Sequence, residues 1–308
     1  MTTASAVVFA YHDVGVRCLK ALISGGVSIP LVVTVADDPR EKQWFGSVAA
    51  TAADYGIRTA IPADASSPDL QKDLAALRPD FIFSFYYRSL LGPGLLRSAR
   101  RGALNMHGSL LPRYRGRAPV NWAILRGERE TGATLHYMVE RADAGDIVDQ
   151  LAVPILQDDD AREVFNKVTV AAETILARSL PGLIAGTAPR RPQTLLPGEY
   201  FGRRTPEDGR IDWRQGALAI HNLVRAVAPP FPGAFADVRG TRWSIHRTRV
   251  VARPSGTAAR ARLIGEAGRC YAECGDGTAL QILAAADAAG PMDLAALAAE
   301  LQRQPVLL

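Results

Sequence analysis

The chain has 308 residues, 48% of them hydrophobic, with three cysteines and a formal net charge of +5 at a sequence pI of about 9.3. That is enough apolar sequence for a full core in one large or two modest domains, and the small positive excess would attract anions such as nucleotides or RNA without choosing among them. The odd, sparse cysteine set argues against a disulfide framework, no block of like charges marks a nucleic-acid tail, and neither a basic leader nor a run near the roughly 20 apolar residues of a membrane span is present, so the expectation is a cytoplasmic globular enzyme.

Ala6 to Ala10 (AVVFA) predicts a first strand, followed by a helix through Val16, Leu19 and Ile23. Ile29 to Val35 reads as a second strand, Gln43 to Tyr55 and Asp69 to Leu77 as helices, and Phe81 to Phe85 (FIFSF) as a strand buried on both faces. Short apolar strands alternating with helices predict a Rossmann-like, doubly wound, mostly parallel α/β sheet. The first turn, AYHDVG, holds only Gly15, so the GxGxxG pattern that admits a pyrophosphate is absent and a nicotinamide cofactor is not expected. Asp160 and Glu163 form a capping box ahead of Val164, Val168, Ala171 and Ile175, which predicts a helix over about 161–177.

From Pro181 to Pro197 the Gly, Pro, Arg and Thr content predicts a surface connector. Beyond it the pattern predicts a helix around Ala217 to Val227, then short strands near Ala234–Val238, Trp243–Val250, Ala261–Ile264, Arg269–Cys274 and Leu280–Leu283. Strands of this length with Gly and Asp at the turns suggest a small β-barrel of OB-like form. The expected division is a catalytic domain over 1–205 and a barrel domain over 206–308, closed by a helix with Leu294, Leu297 and Leu301 on one face. Cys270, Ala272 and Cys274 alternate as one strand face does, so the cysteines read as small buried hydrophobes and not as a zinc site.

The residues richest in chemistry lie between Asn105 and Asp149. Asn105 and His107 are two apart, so on an extended segment they leave the same face, and Gly108, Pro112 and Gly116 end regular structure just beyond them. That places the pair at the end of a strand, where open α/β sheets hold ligands. Taken singly, Asn105 reads as a turn or cap, His107 as a packed histidine and Asp143 as a turn residue.

The stretch HGSLLPRYRGRAP together with Asn105 resembles the signature of the 10-formyltetrahydrofolate-dependent formyltransferases. The resemblance implies that Asn105 stabilises the oxyanion at the formyl carbon, that His107 shuttles protons and that Asp143 holds the histidine. Those roles are chemically coherent: a fixed amide donor lowers a barrier where charge develops on oxygen, and a histidine beside a carboxylate is suited to taking one proton near neutral pH. No metal and no covalent enzyme intermediate are required.

Within that family, Ala36 to Ile57 and Tyr200 to Trp213 (YFGRRTPEDGRIDW), with Phe81 to Arg88 and Val224 to Gly233, resemble the formyltransferase domain of the bacterial enzyme that modifies UDP-4-amino-4-deoxy-L-arabinose for lipid A and polymyxin resistance. The likeness implies 10-formyltetrahydrofolate as co-substrate, with contacts at Ser89, Leu90, Leu91, Arg117, Val139, Glu140, Arg141, Ala142 and Asp143. It also suggests Tyr86 and Arg88 toward the nucleotide sugar, and Arg203 and Arg204 toward its pyrophosphate. Methionyl-tRNA formyltransferase is the alternative within the family, but the Asp37 to Gly46 connection lacks the longer basic insertion that would grip an acceptor stem. In many bacteria the lipid A enzyme continues into a decarboxylase domain, which here is expected to be a separate partner if the chain stands alone. A folate- or nucleotide-binding module without activity is the alternative from another class.

Overall fold

In the computed structural model, which describes residues 3–36, 43–65, 67–195, 197–252 and 260–308, the first half of the chain alternates strands and helices. In order these are β1 (Ser5–Ala10), α1 (His12–Ser24), β2 (Ser28–Val33), α2 (Val48–Asp54), β3 (Thr59–Ala60), α3 (Pro68–Leu77), β4 (Phe81–Phe85), α4 (Pro93–Arg97), β5 (Gly102–His107), β6 (Arg115–Gly116), α5 (Pro119–Leu125), β7 (Glu130–Tyr137), β8 (Ile147–Pro154), α6 (Ala161–Ala185) and β9 (Tyr200–Phe201). After a 3₁₀ turn at Pro206–Gly209 come α7 (Ala217–Ala226), β10 (Ala234–Val238), β11 (Thr241–Val251), β12 (Arg262–Glu266), β13 (Arg269–Glu273), β14 (Ala279–Asp287), β15 (Gly290–Pro291), α8 (Leu294–Arg303) and β16 (Val306–Leu307).

Contacts divide the chain into two units: residues 1–119, 130–154 and 165–202 form the first, and 120–129, 155–164 and 203–308 form the second. The first is built on a seven-stranded sheet of order β3-β2-β1-β4-β5-β7-β8. Strands β1 to β5 run parallel, and β7 and β8 are added antiparallel at one edge. Val7, Phe9, Ile82 and Ala103 pack with Leu70 and Leu74 of α3 and Leu95 of α4 on one face. On the other face α1 packs so closely on Ala10 that a side chain at Gly15 would lie 3.1 Å from the Ala10 Cβ. All five residues of FIFSF are buried, as expected for a central parallel strand.

Two boundaries differ from the sequence pattern. Helix α2 begins only at Val48, because Ser47 caps it by accepting the Ala50 N–H, where the pattern predicted a start at Gln43. The connection noted above lies outside the described residues from 37 to 42. Helix α6 runs on through Pro181 to Ala185, into the segment expected to be a connector: Ile175, Leu176, Leu180 and Leu183 continue its buried face, and that burial outweighs the hydrogen bond lost at proline. The capping box is as predicted, Asp160 and Glu163 exchanging 2.9 Å hydrogen bonds through their side chains and backbone N–H groups. With 25 residues and an 18-residue stretch of mean hydropathy 1.3, α6 alone among the described helices is long and apolar enough to cross a membrane. Its Val164, Val168, Ala172 and Ile175 are nonetheless buried in protein.

The second unit is an antiparallel, curled sheet of order β10-β11-β14-β13-β12-β16, a half-barrel of OB-like form. Trp213, Ile220, Val224, Ile245, Leu263, Leu280 and Leu301 fill its core, with Leu294 and Leu297 of α8 packed beside them. Cys270 and Cys274 are buried there as free thiols. Buried polar groups on α7 tie the 155–164 segment into this unit: His221 meets Thr248 Oγ1 at 2.9 Å and the Gln157 carbonyl at 3.0 Å, and Arg225 donates to the Asp159 carbonyl at 3.2 Å.

Candidate active site

Strand β5 positions the site. Leu104 and Met106 point into the core, so Asn105 and His107, alternating with them, share the opposite face at the carboxyl end of the strand. Antiparallel β7 pairs Asn105 directly with His136 and His107 with Thr134, so the four side chains stand on one face as two cross-strand pairs. His136, only 1% exposed, was not identified from the sequence, and no local motif marks it; it enters the site through strand pairing alone.

After His107 the chain closes into a tight loop. Thr134 Oγ1 donates to the Ser109 carbonyl at 2.6 Å and accepts from the Leu111 N–H, while Ser109 Oγ donates to the Arg113 carbonyl at 2.6 Å. Strand β6 pairs with β9, and Tyr114 stacks on Phe201 with ring centroids 4.9 Å apart. Gly116 has φ +102°, and a Cβ there would strike the Phe201 carbonyl, so only glycine fits. This loop presents two anchors. The Tyr114 carbonyl meets His107 Nε2 at 2.8 Å, and the Gly116 N–H donates to Asp143 Oδ2 at 2.9 Å.

Asp143 sits in left-handed backbone, φ +53°, on the loop between β7 and β8. Gln193 Nε2 donates to the carbonyls of Asp143 and Gly145, at 3.2 and 2.6 Å, and a side chain on Gly145 would collide with the Tyr137 carbonyl. Thus held, Asp143 Oδ1 lies 3.6 Å from His107 Nδ1, 3.6 Å from His136 Nε2 and 3.4 Å from Asn105 Nδ2. Burial by itself would raise the carboxyl pKa, but the facing His107, the hydrogen bond and charge of His136 and, last, the Gly116 N–H outweigh it and hold the group well below the ordinary carboxylate range. Asp143 is therefore ionised at any working pH. A carbonyl cannot donate, so His107 Nε2 carries a hydrogen, and Nδ1, facing Asp143, is the nitrogen that exchanges a proton.

An amide, an imidazole and a fixed carboxylate around one point form a set suited to acyl-group chemistry. Against models of known families, residues 6–180 match the formyl transferase domain and residues 203–300 match the formyl transferase C-terminal domain. The chain belongs to the formyl transferase family.

Solved structures of similar fold surround this formyltransferase. A Helicobacter canadensis N-formyltransferase in complex with folinic acid and dTDP-3-aminofucose is 20% identical, with a TM-score of 0.72 over 91% of this chain and 99% of that one. A 4-N formyltransferase from Francisella tularensis is 20% identical, with a TM-score of 0.63 over 78% and 95%. HypX from Aquifex aeolicus in complex with tetrahydrofolic acid is 19% identical with a TM-score of 0.62, over 98% of this chain but 48% of that one.

The other expected site residues of the formyltransferase fall in three places. Ser89, Leu90 and Leu91 follow β4, with Leu90 74% exposed and Leu91 packed on the core beneath. Val139, 46% exposed, leads into Glu140, Arg141 and Ala142, and Arg117 is exposed just beyond the β6 loop. The Tyr86 backbone is left-handed, φ +57°, and its ring meets Phe165 edge-on at 5.5 Å. Among the described residues its hydroxyl is buried without a hydrogen-bond partner, and it fills the space a Cβ on Gly108 would need. Arg88 lies over the Tyr11 ring at 4.5 Å. Arg203 and Arg204 belong to the second unit, where Arg204 stacks over Trp122 at 4.9 Å and donates to the Asp208 carbonyl at 3.0 Å. Among the described residues, no group of three or more His, Cys, Asp and Glu side chains could hold a metal ion.

Proposed function

We propose that this formyltransferase carries the formyl group of 10-formyltetrahydrofolate to the 4-amino group of UDP-4-amino-4-deoxy-L-arabinose, in the cytoplasmic part of lipid A modification. The observation that carries the reading is the meeting of Asn105, His107 and Asp143 within 3.6 Å contacts at the carboxyl end of β5. Leu90 and Val139, large apolar side chains left exposed, and the exposed Arg117 fit a co-substrate with a flat ring system and an anionic tail. Bound there, formyl-folate would supply an electrophilic formyl carbon.

The geometry supports these roles for the chain's own groups. The Asn105 amide is placed to donate to the formyl oxygen as charge grows on it. His107 Nδ1 accepts the proton that the acceptor amine sheds as its nitrogen bonds to carbon, and can return it to the departing folate nitrogen. Asp143, anionic throughout, balances the imidazolium so formed. We assign catalysis and folate binding to the first domain, about 1–205, and an acceptor-shaping role to the domain over about 206–308. Tyr86 and Arg88 are proposed sugar contacts, and Arg203 and Arg204 proposed pyrophosphate contacts.

The nucleotide amino-sugar named with the Helicobacter canadensis relative and the 4-N specificity named for the Francisella tularensis one support a sugar amine as acceptor. The likeness to the lipid A enzyme across Ala36 to Ile57 and Tyr200 to Trp213 supports the arabinose and its uridine nucleotide. The test is a direct competition: purified protein with 10-formyltetrahydrofolate is offered UDP-4-amino-4-deoxy-L-arabinose or methionyl initiator tRNA, and the products are read by mass spectrometry. A formylated nucleotide sugar is expected; a formylated tRNA alone would move the protein to the other branch of its family, and no product from any amine would favour a binding module.

A further inference from the structure

We infer that Ser84 is a second hydrogen-bond donor to the formyl oxygen, standing beside Asn105, an inference that rests on the formyl-transfer reading above. Ser84 is the one polar residue in FIFSF and is only 6% exposed. Among the described residues its side chain enters no hydrogen bond. A hydroxyl buried without a partner weakens a strand that alanine would fill at no such cost, which points to a role at the ligand site.

Strand register fixes where that hydroxyl stands. Parallel β4 and β5 pair Ser84 with Asn105, so the two side chains leave the same face about 4.8 Å apart. Ile82 and Ala103, two residues before each, lie in the core of that face, so Ser84 and Asn105 follow them toward the carboxyl ends of the strands. Alternation would next bring Tyr86 to this face, but its backbone turns left-handed, φ +57°, and its ring lies against Phe165 instead. Tyr87 packs edge-on to Phe9 of β1. Ser84 is therefore the last β4 side chain on the face that carries Asn105 and His107. Asn105 Nδ2 has two hydrogens and directs one at Asp143 Oδ1, 3.4 Å away, so it can give the formyl oxygen one at most. An oxyanion accepts more than one hydrogen, and two donors about 4.8 Å apart leave room for one oxygen atom between them. The serine donates and keeps its proton, so proton transfer through His107 is unaltered.

The test uses the intact protein, with kcat and KM for formyl transfer to the nucleotide sugar, tetrahydrofolate affinity by calorimetry, and thermal melting. S84A is expected to lower kcat by about a hundredfold, the scale of losing one oxyanion donor. Both KM values should stay within about twofold of wild type, because the bond strengthens only as charge develops. Tetrahydrofolate, which lacks the formyl oxygen, should bind S84A as it binds wild type. S84C keeps the shape but offers only a weak S–H donor, so it should be impaired like S84A. S84T keeps the hydroxyl and should retain most of kcat. If its added methyl prevents folding, S84A and S84C with unchanged melting carry the comparison.

Several outcomes would overturn the inference. If S84A keeps kcat within about twofold of wild type while N105A is impaired, Ser84 gives nothing to the formyl oxygen and the formyl-transfer reading stands. If S84A weakens tetrahydrofolate binding and raises KM with kcat unchanged, the hydroxyl holds the folate and not the transferred group. If a folded S84T is as impaired as S84A, Ser84 is only a packing residue. If N105A and H107A both turn over like wild type, the formyl-transfer reading fails first and the inference with it.

Discussion

Replacing Asp143 by Asn tests the site with the least change in shape. The carboxylate has two oxygens, and both are committed: Oδ2 accepts the Gly116 N–H at 2.9 Å, and Oδ1 faces Asn105 Nδ2 at 3.4 Å and His107 Nδ1 at 3.6 Å. An amide offers one oxygen. Whichever way it turns, its NH₂ opposes a donor, either the Gly116 N–H or the Asn105 amide, and His107 loses its counter-charge in both cases. Forfeiting one charge-assisted contact costs about 1.5–3 kcal/mol, which corresponds to a fall of about 10- to 150-fold in a rate that depends on it. D143N should therefore lower kcat/KM by about 10- to 150-fold in an assay that follows tetrahydrofolate release, with the nucleotide sugar as acceptor. A second readout carries a definite sign. The depressed pKa of Asp143 means that it stabilises the fold above the unfolded value near 3.9, and that this contribution is lost as pH falls from there toward the folded value. D143N, which cannot titrate, should lose less stability than wild type below about pH 4. A variant within twofold of wild type in kcat/KM would refute the claim that this carboxylate organises the site.

Three further substitutions probe its neighbours. H107A should lower turnover by about a hundredfold or more while folinic acid still binds, since proton transfer by a positioned group contributes about 10²–10⁴-fold; undiminished turnover would remove the histidine from the chemistry. Q193M replaces the two donated bonds to Asp143 and Gly145 with an apolar side chain of the same length, and should cost about tenfold in kcat/KM with melting little changed, because the buried Oε1, which has no partner among the described residues, disappears as well. His12, stacked on Phe45 at 4.0 Å, has its pKa lowered to about 3 by burial and by the nearby Arg88 charge. A histidine depressed in the fold stabilises it fully above about pH 6.5 and progressively less as pH falls toward the folded pKa. H12N keeps an acceptor for the Asp13 N–H and tolerates φ +66°. It should shrink the drop in melting temperature between pH 7 and 4.5, with His221 and His246, also lowered by burial, retaining part of it. Parallel melting curves for H12N and wild type would show that His12 is not a titrating element of stability.

What could be read from the sequence follows the range of the interactions involved. FIFSF, the Asp160 to Glu163 capping box and the α8 stripe of Leu294, Leu297 and Leu301 are local patterns, and each stands in the structure where the pattern put it. Asn105 and His107 share a face for the same local reason. The end of α6 was missed because Pro181 and Gly182 signal a break, while the force that carries the helix to Ala185 is burial of Leu180 and Leu183 against residues far away in the chain. Strands β7 and β8 do not stand out in the sequence because β7 buries both of its faces from Thr131 to His136, so its Thr and His residues do not mark a solvent side as they would on a half-exposed strand.

That missing strand explains what remained hidden in the site. His136 and Thr134 become neighbours of Asn105 and His107 only through the antiparallel register of β5 and β7, and Gln193 reaches the Asp143 loop from 50 residues further on. The three motif residues carry groups that chemistry can anticipate from type and spacing. The residues that set the state of those groups, including the Tyr114 carbonyl that assigns the His107 hydrogen and the Tyr137 carbonyl that assigns the His136 hydrogen, act through backbone atoms to which sequence identity contributes almost nothing. A backbone acceptor survives any substitution that preserves the loop, so its contribution must be tested through the side chain it orients.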